Sequence, residues 1–359
     1  MSVPALFQPL TIRGVTFRNR IWMSPLCEYS AASDAVPTDW HLVHLGSCAI
    51  GRAGLVMAEA TGINPVGRIS PRDVGMWNDE QVAAWKRITD FIHSQGGNAG
   101  VQLAHAGRKG STTPDWGADY DGTVPIADGG WQTVAPSAVA FGNYDPPVEM
   151  NGADIDAVVD DWAAAARRAI DAGFDVVEIH AAHGYLLHQF LSPIANHRTD
   201  SYGGSLENRA RLVRKVVRGV RAAIADTVPL FVRMSATDWD ERGITVDDVA
   251  TVAGWLHEDG ADLIDTSSGG IAPGIHIPTG PGYQVEFSDA IRRTAEMQTN
   301  AVGQITLPEQ ANEIIESGKA DAVMLGREMM RDPHFALRAS TALGYKLPYW
   351  PDQYQWAQP

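Results

Sequence analysis

The chain has 359 residues, 45% of them hydrophobic, and 43 acidic against 28 basic side chains give a formal net charge of −15. This composition suits one large α/β barrel or two average domains, and it argues against disorder, a nucleic-acid partner and an anionic membrane surface. Two cysteines, Cys27 and Cys48, are too few for a disulfide framework and point to a reducing, cytoplasmic setting; no basic start followed by an apolar run opens the chain, and no stretch of about 18 uncharged apolar residues reads as a membrane span.

In chain order, residues 6–20 read as a β-hairpin able to plug the bottom of a barrel. Eight short apolar runs follow, at 20–26, 54–63, 98–105, 175–183, 230–237, 261–268, 299–305 and 321–328. They are nearly continuous in hydrophobicity rather than alternating, as strands buried on both faces are. Helical patterns fill the intervals at 39–50, 79–96, 154–173, 206–224, 246–259, 284–298, 307–318 and 333–342. The clearest repeats Leu206, Ala210, Val213, Val217, Val220 and Ile224 every three or four residues behind a capping Ser205. Asn78-Asp79 and Gly152-Ala153-Asp154 mark two further starts. Eight strand–helix repeats predict a (β/α)8 barrel occupying 1–359 as a single domain, with a doubly wound open sheet as the structural alternative. Residues 106–150, rich in Gly, Pro and Asp, form a long insertion after the third strand, of the length that usually serves as a lid or subdomain. Residues 343–359 form the tail.

Barrel chemistry sits at the C-terminal ends of the strands. There the chain places Pro25, Cys27 and Tyr29, then Glu59 and Ala60, Gln102 and His105, His180, His183 and Tyr185, Arg233, Gly303, and Gly326-Arg327. Glycines after the last two strands beside a forked cation suit a phosphate, although they also serve as plain turns with Arg327 in a surface ion pair. His180 and His183 are open to three readings: metal ligands, satisfied core histidines, or two N–H donors converging on one oxygen, with Tyr185 as proton source. Cys27, at a strand end, favours a site role over a buried small hydrophobe. Arg233, in an apolar strand, requires an anion: a bound cofactor, or an internal carboxylate such as Glu178 or Asp265. Cys48 falls in a helical pattern and reads as core.

Together the runs "NRIWMSPLCEYSA", "VQLAHAGRK", "EIHAAHGYLLHQFLSPIANHRTDSYGGSLENRARL", "FVRMSATDW", "VGQI" and "VMLGREMMRDP" resemble the Old Yellow Enzyme family of flavin-dependent ene-reductases. Cys27 followed by Tyr29, and a His-His rather than His-Asn pair, are similar to the thermophilic-like or xenobiotic-reductase-like subgroup. The resemblance implies non-covalent FMN, with NADPH or NADH as reductant. Pro25, Cys27 and Ala60 would line the flavin, Gln102 would meet its pyrimidine edge, Arg233 would offset the charge of its reduced form, and Gly303, Gly326 and Arg327 would hold its phosphate. An α,β-unsaturated carbonyl would be held by His180 and His183, touched by Tyr29 and Cys27, and protonated by Tyr185. The resemblance further implies a homodimer, or a homotetramer, whose tail reaches the neighbouring site. Trp356 stands where the subgroup often has arginine. Too few residues follow Glu328 for the extra domain of the family's larger iron–sulfur members. Two rivals to the ene-reductase reading are a metal-dependent hydrolase barrel built on His180 and His183, and a non-catalytic FMN-binding protein.

Overall fold

The structure is a computed structural model and describes residues 3–32, 34–114, 116 and 120–358. Eight parallel strands close into a barrel: β1 (Ile21–Met23), β2 (Leu55–Gly62), β3 (Asn98–Ala104), β4 (Val176–Ala181), β5 (Leu230–Ser235), β6 (Leu263–Ser267), β7 (Gln298–Ala301) and β8 (Ala322–Leu325). Neighbours in sequence are neighbours in space, and β8 pairs with β1 through Val323↔Ile21 to complete the circle. The principal helices are α1 (Asp39–Ile50), α2 (Asp79–Ser94), α3 (Gly152–Asp171), α4 (Leu206–Ala223), α5 (Val246–Glu258), α6 (Val285–Ala295), α7 (Pro308–Glu316) and α8 (Phe335–Ala342). The barrel reading therefore holds, and the open-sheet alternative falls.

Local chemistry sets the boundaries. Ser205 Oγ accepts from Asn208 N at 3.3 Å and starts α4, and Asn78 Oδ1 accepts from Gln81 N at 2.9 Å to start α2. Helix α3 begins two residues earlier than expected, because Asn151 Oδ1 accepts from both Ala153 N and Asp154 N. Along α4 the apolar positions Ala210, Val213, Val217 and Val220 are buried and the arginines face outward. Strands β1, β7 and β8 are shorter than their apolar runs: pairing ends after Met23, Ala301 and Leu325, and the remaining residues turn into loops.

The barrel is filled at its lower end. Trp22, Leu55, Met57, Val176, Phe231, Leu263, Ala322 and Met324 point inward and form one apolar layer. Trp22 stacks on Phe231 with centroids 5.6 Å apart. An antiparallel hairpin, Leu10–Ile12 with Val15–Phe17, closes this layer with Leu10, Ile12 and Phe17, as its position in the sequence suggested. Above the apolar layer the inward positions become polar: Gln102, Glu178, Arg233, Asp265 and Asn300 are all buried. The insertion carries a small parallel pair, Val134–Ala135 with Val148–Glu149, and Arg108 ties it to the barrel mouth by donating to Val139 O at 3.0 Å and Ile271 O at 2.7 Å. No helix among the described residues is long and apolar enough to cross a membrane.

Candidate active site

The segment after β4 is built to present three side chains. Strand alternation turns Glu178 and His180 inward. The chain then makes a turn with His183 at φ +58° and Gly184 at φ +74°. A Cβ at Gly184 would collide with the carbonyl of Gly270, so only glycine fits. A short helix, Leu186–Leu191, follows; the sequence reading missed it. Its fully buried His188 faces back, with Nδ1 accepting from Gly184 N at 2.8 Å and Nε2 lying 2.9 Å from Asp238 Oδ1. Asp238 in turn accepts from Ser192 Oγ at 2.6 Å and Ile244 N at 3.0 Å. His183 N donates to Ser235 Oγ at 2.9 Å. These bonds hold the turn so that His180 and His183 meet edge to face, 5.1 Å apart at 88°, with Tyr185 5.0 Å from His180.

Both imidazoles are held far below the ordinary histidine range, first by burial and then by the positive charge of Arg233, so they are neutral at pH 7. His180 Nδ1 accepts from Ala182 N at 3.3 Å, which leaves its Nε2 as the N–H donor. His183 Nε2 lies 2.7 Å from Ser267 Oγ, a hydroxyl able to donate or accept, so Ser267 fixes the orientation of that ring. His105, at the end of β3, is pushed down to about 4 by burial. The consequence for stability has a definite sign. These three histidines bind protons more weakly folded than unfolded, so their contribution is complete above the unfolded value of about 6.5 and is lost as pH falls below it. His105 alone accounts for on the order of 3 kcal/mol across that interval. Denaturant midpoints measured between pH 7 and pH 4.5 are expected to fall steadily, and His105→Gln is expected to flatten the slope.

A cavity of about 460 Å³ opens at the ends of β1, β5, β6, β7 and β8, and Ser267 on its wall is the residue that touches His183. It brings together Arg233, Gly303, Gly326 and Arg327, as the strand-end positions suggested, and adds Ser24 and Ser267. Gly303 sits at φ +123°, a conformation that side chains reject. Arg327 is exposed and makes no ion pair or hydrogen bond among the described residues, so the surface-salt-bridge reading does not apply, whereas neighbouring Arg331 pairs with Glu328. At the inner end Arg233 Nε lies 3.0 Å from Asp265 Oδ2, without hydrogen-bond alignment. Gln102 donates to Glu178 Oε1 at 2.7 Å, so its amide is anchored inside the barrel. Two carboxyls share one guanidinium here. Burial, with Asp265 beside it, raises Glu178 to about 8, so the pair retains a proton at neutral pH. The cavity thus has an unpaired cation at its outer end and a buried guanidinium at its inner end, a donor set that fits a phosphate-bearing, electron-rich planar cofactor such as FMN.

Cys27, Tyr29, Ala60 and Tyr185 gather in a second, apolar group with Ile69, Ala104 and Ala106. The Cys27 thiol is pushed well above its ordinary value by burial and by the charges of Asp73 and Glu59, so it is a thiol and not a thiolate nucleophile. Pro25 is buried beside it. Non-glycine residues in the left-handed region occur in the loops after β1, β4, β5 and β7, at Tyr29, His183, Trp239 and Gln304, a concentration of strain at the barrel mouth. Trp356 belongs to neither group within one chain: it lies on a short C-terminal helix, fully exposed. Cys48 is buried in α1. Among the described residues no third His, Cys, Asp or Glu joins His180 and His183 to form a metal site. Sequence reasoning overlooked Ser267, Ser235 and His188; the Ser267-Ser268 pair at the end of β6 was the available signal for the first.

Comparison with known proteins agrees with this geometry. Residues 5–345 match the NADH:flavin oxidoreductase / NADH oxidase family. The chain is 45% identical over 354 residues to the NADPH dehydrogenase of Bacillus subtilis, covering 98% of each. It superposes on the old yellow enzyme homologue from Zymomonas mobilis with a TM-score of 0.80 and 31% identity, covering 99% of this chain and 98% of that one. It also superposes on a 2-naphthoyl-CoA reductase with a TM-score of 0.84 and 25% identity, although it spans only 52% of that longer chain. The metal-hydrolase and non-catalytic alternatives fall with this match, and the chain belongs to the NADH:flavin oxidoreductase / NADH oxidase family, the Old Yellow Enzyme group, as an FMN-dependent oxidoreductase supplied with electrons by NADPH or NADH.

Proposed function

We propose that this enzyme reduces the C=C bond of α,β-unsaturated carbonyl compounds, among them enones and maleimides, with quinones and nitro compounds as related acceptors. The observation that carries the reading is the pair of neutral, perpendicular imidazoles with a phenol 5.0 Å from one of them. FMN, when bound, would supply the hydride chemistry that links nicotinamide to substrate. The protein's part is to polarise and to protonate. His180 and His183 donate to the carbonyl oxygen, which draws electron density from the β-carbon and stabilises the negative charge that develops on that oxygen. Neutral donors suit this role because they hold the oxygen without giving it a proton. Tyr185 then supplies a proton to the α-carbon. Tyr29 and Cys27 contact the substrate from the other side.

In the same reading Gly303, Gly326 and Arg327 hold the phosphate of FMN, and Arg233 offsets the charge of the reduced ring. Pro25, Cys27 and Ala60 line the ring's edge, and Gln102, steadied by Glu178, meets its pyrimidine side. The chain acts as a homodimer or homotetramer in the cytoplasm, and the partner subunit's Trp356 forms one wall of the pocket. Full exposure of an indole at the end of a tail is the feature that calls for such a partner.

An anaerobic titration followed through the visible spectrum tests this. The flavin band near about 450 nm should bleach with NADPH and return with 2-cyclohexenone, in two steps of a ping-pong cycle. Bleaching without return by any enone would leave the flavin oxidoreductase in place and remove the proposed substrate class.

A further inference from the structure

Lys109 has no task in the function proposed above. It ends the short turn Gly107–Lys109 that leads from β3 into the insertion. Its Nζ donates to His183 O at 2.9 Å and to Gly270 O at 3.2 Å. The same ammonium stands 5.0 Å from the centre of the Tyr185 ring and 4.6 Å from that of Phe141. No carboxylate pairs with it among the described residues. A partly buried lysine held by two carbonyls and two aromatic faces is an expensive way to tie a loop, because a neutral amide would satisfy those carbonyls without desolvating a charge. A cation above a phenol has an electronic consequence instead: it is attracted to the ring, and far more strongly to the phenolate.

We propose that Lys109 sets the acidity of Tyr185, stabilising the phenolate left when Tyr185 gives its proton to the substrate. The inference rests on the reading of Tyr185 as proton donor. In that step the hydride forms the new C–H bond at the β-carbon and the π pair of the C=C bond takes the proton of Tyr185 Oη at the α-carbon. The O–H bonding pair stays on the phenol oxygen, and water restores the proton. The phenolate thus forms beside an ammonium, and the pair is neutral at the moment when Tyr185 alone would be charged. Lys109 touches neither substrate nor cofactor in this account; it acts through Tyr185.

The titratable and charged groups facing Lys109 are Arg108 on its own turn, His180 and His183 from the end of β4, and Tyr185 itself. Phe141 from the insertion is apolar, and the segment after β6 offers only the Gly270 carbonyl. Both imidazoles are neutral, so Arg108 is the one fixed charge among these neighbours. Burial, followed by Arg108, lowers Lys109 to about 8, which brings its loss of charge into an accessible pH range.

The test uses FMN-loaded enzyme and the variants Lys109→Met, Lys109→Arg and Tyr185→Phe. Reoxidation of reduced enzyme by 2-cyclohexenone should slow about 10- to 100-fold in Lys109→Met, far more than reduction by NADPH does. The wild-type reoxidation rate should fall as pH rises through about 8, where Lys109 loses its charge. Lys109→Arg should keep the rate and carry it past that pH, and Lys109→Met should lack the limb. Independently of turnover, the phenol of Tyr185, followed by NMR of ring-13C tyrosine and assigned with Tyr185→Phe, should titrate about one pH unit lower in Lys109→Arg, which keeps its charge at every pH, than in Lys109→Met. A phenol titration that is the same in Lys109→Arg and Lys109→Met, or a wild-type reoxidation rate in Lys109→Met beside a slow Tyr185→Phe, overturns the proposal alone. A Tyr185→Phe enzyme that reoxidises at the wild-type rate removes the donor role and this proposal together.

Discussion

Replacing both His180 and His183 by alanine should slow enone-driven reoxidation by about 10²- to 10³-fold or more, while each single replacement costs about 10- to 100-fold. Reduction by NADPH should suffer less. The carbonyl oxygen of an enone takes on negative charge as hydride arrives, whereas the nicotinamide carboxamide does not, so the two donors matter most in the second half-reaction. Rapid-mixing measurements of the two half-reactions decide the matter. Equal slowing of both would mean that the rings only position whatever occupies the pocket, and no slowing of either would end the polarisation argument. Ser267→Ala offers a finer check, since Ser267 Oγ lies 2.7 Å from His183 Nε2. Losing it frees the orientation of one ring while leaving the other donor intact, so its effect should match at most that of His183→Ala.

The second large effect is expected at Arg233. Arg233→Met removes the one guanidinium among Glu178 and Asp265 and should destabilise the fold by about 3–5 kcal/mol, reduced to the extent that Asp265 takes up a proton. It should also release FMN, because the inner end of the cavity loses its cation. Adding Asp265→Asn separates the two consequences. The double variant should regain most of the lost melting temperature, since Asp265 no longer carries a charge and burial keeps the remaining Glu178 protonated, yet still bind flavin weakly. Calorimetry gives the first quantity and the fluorescence of released flavin the second. A double variant that recovers both would show that Arg233 serves the barrel and not the cofactor.

How much of this was legible beforehand depends on the range over which each feature is determined. Helix α1 was read at its observed bounds and α4 within one residue, because periodicity and caps are local. The eight strands were legible as apolar runs, but their ends were not: β1 keeps three residues because pairing with β8 and β2 stops at Met23. The short helix at Leu186–Leu191 escaped notice because its stability comes from His188 reaching Asp238, fifty residues onward. The strand-end rule located His180, His183, Tyr185, Arg233, Gly303, Gly326 and Arg327, since their positions follow from topology alone.

The sequence by itself determined the barrel and the residue types at its mouth, both set by patterns within a few residues of one another. Tertiary structure alone decided the rest. It paired Arg233 with Asp265, put Ser267 against His183, placed Lys109 over Tyr185 and set Arg327 in the cavity wall with Arg233. Each of these contacts joins residues on different strands or strand-end loops, whose separation is fixed by barrel closure and not by any local signal, and the protonation states of the site depend on burial that exists only once the barrel has closed.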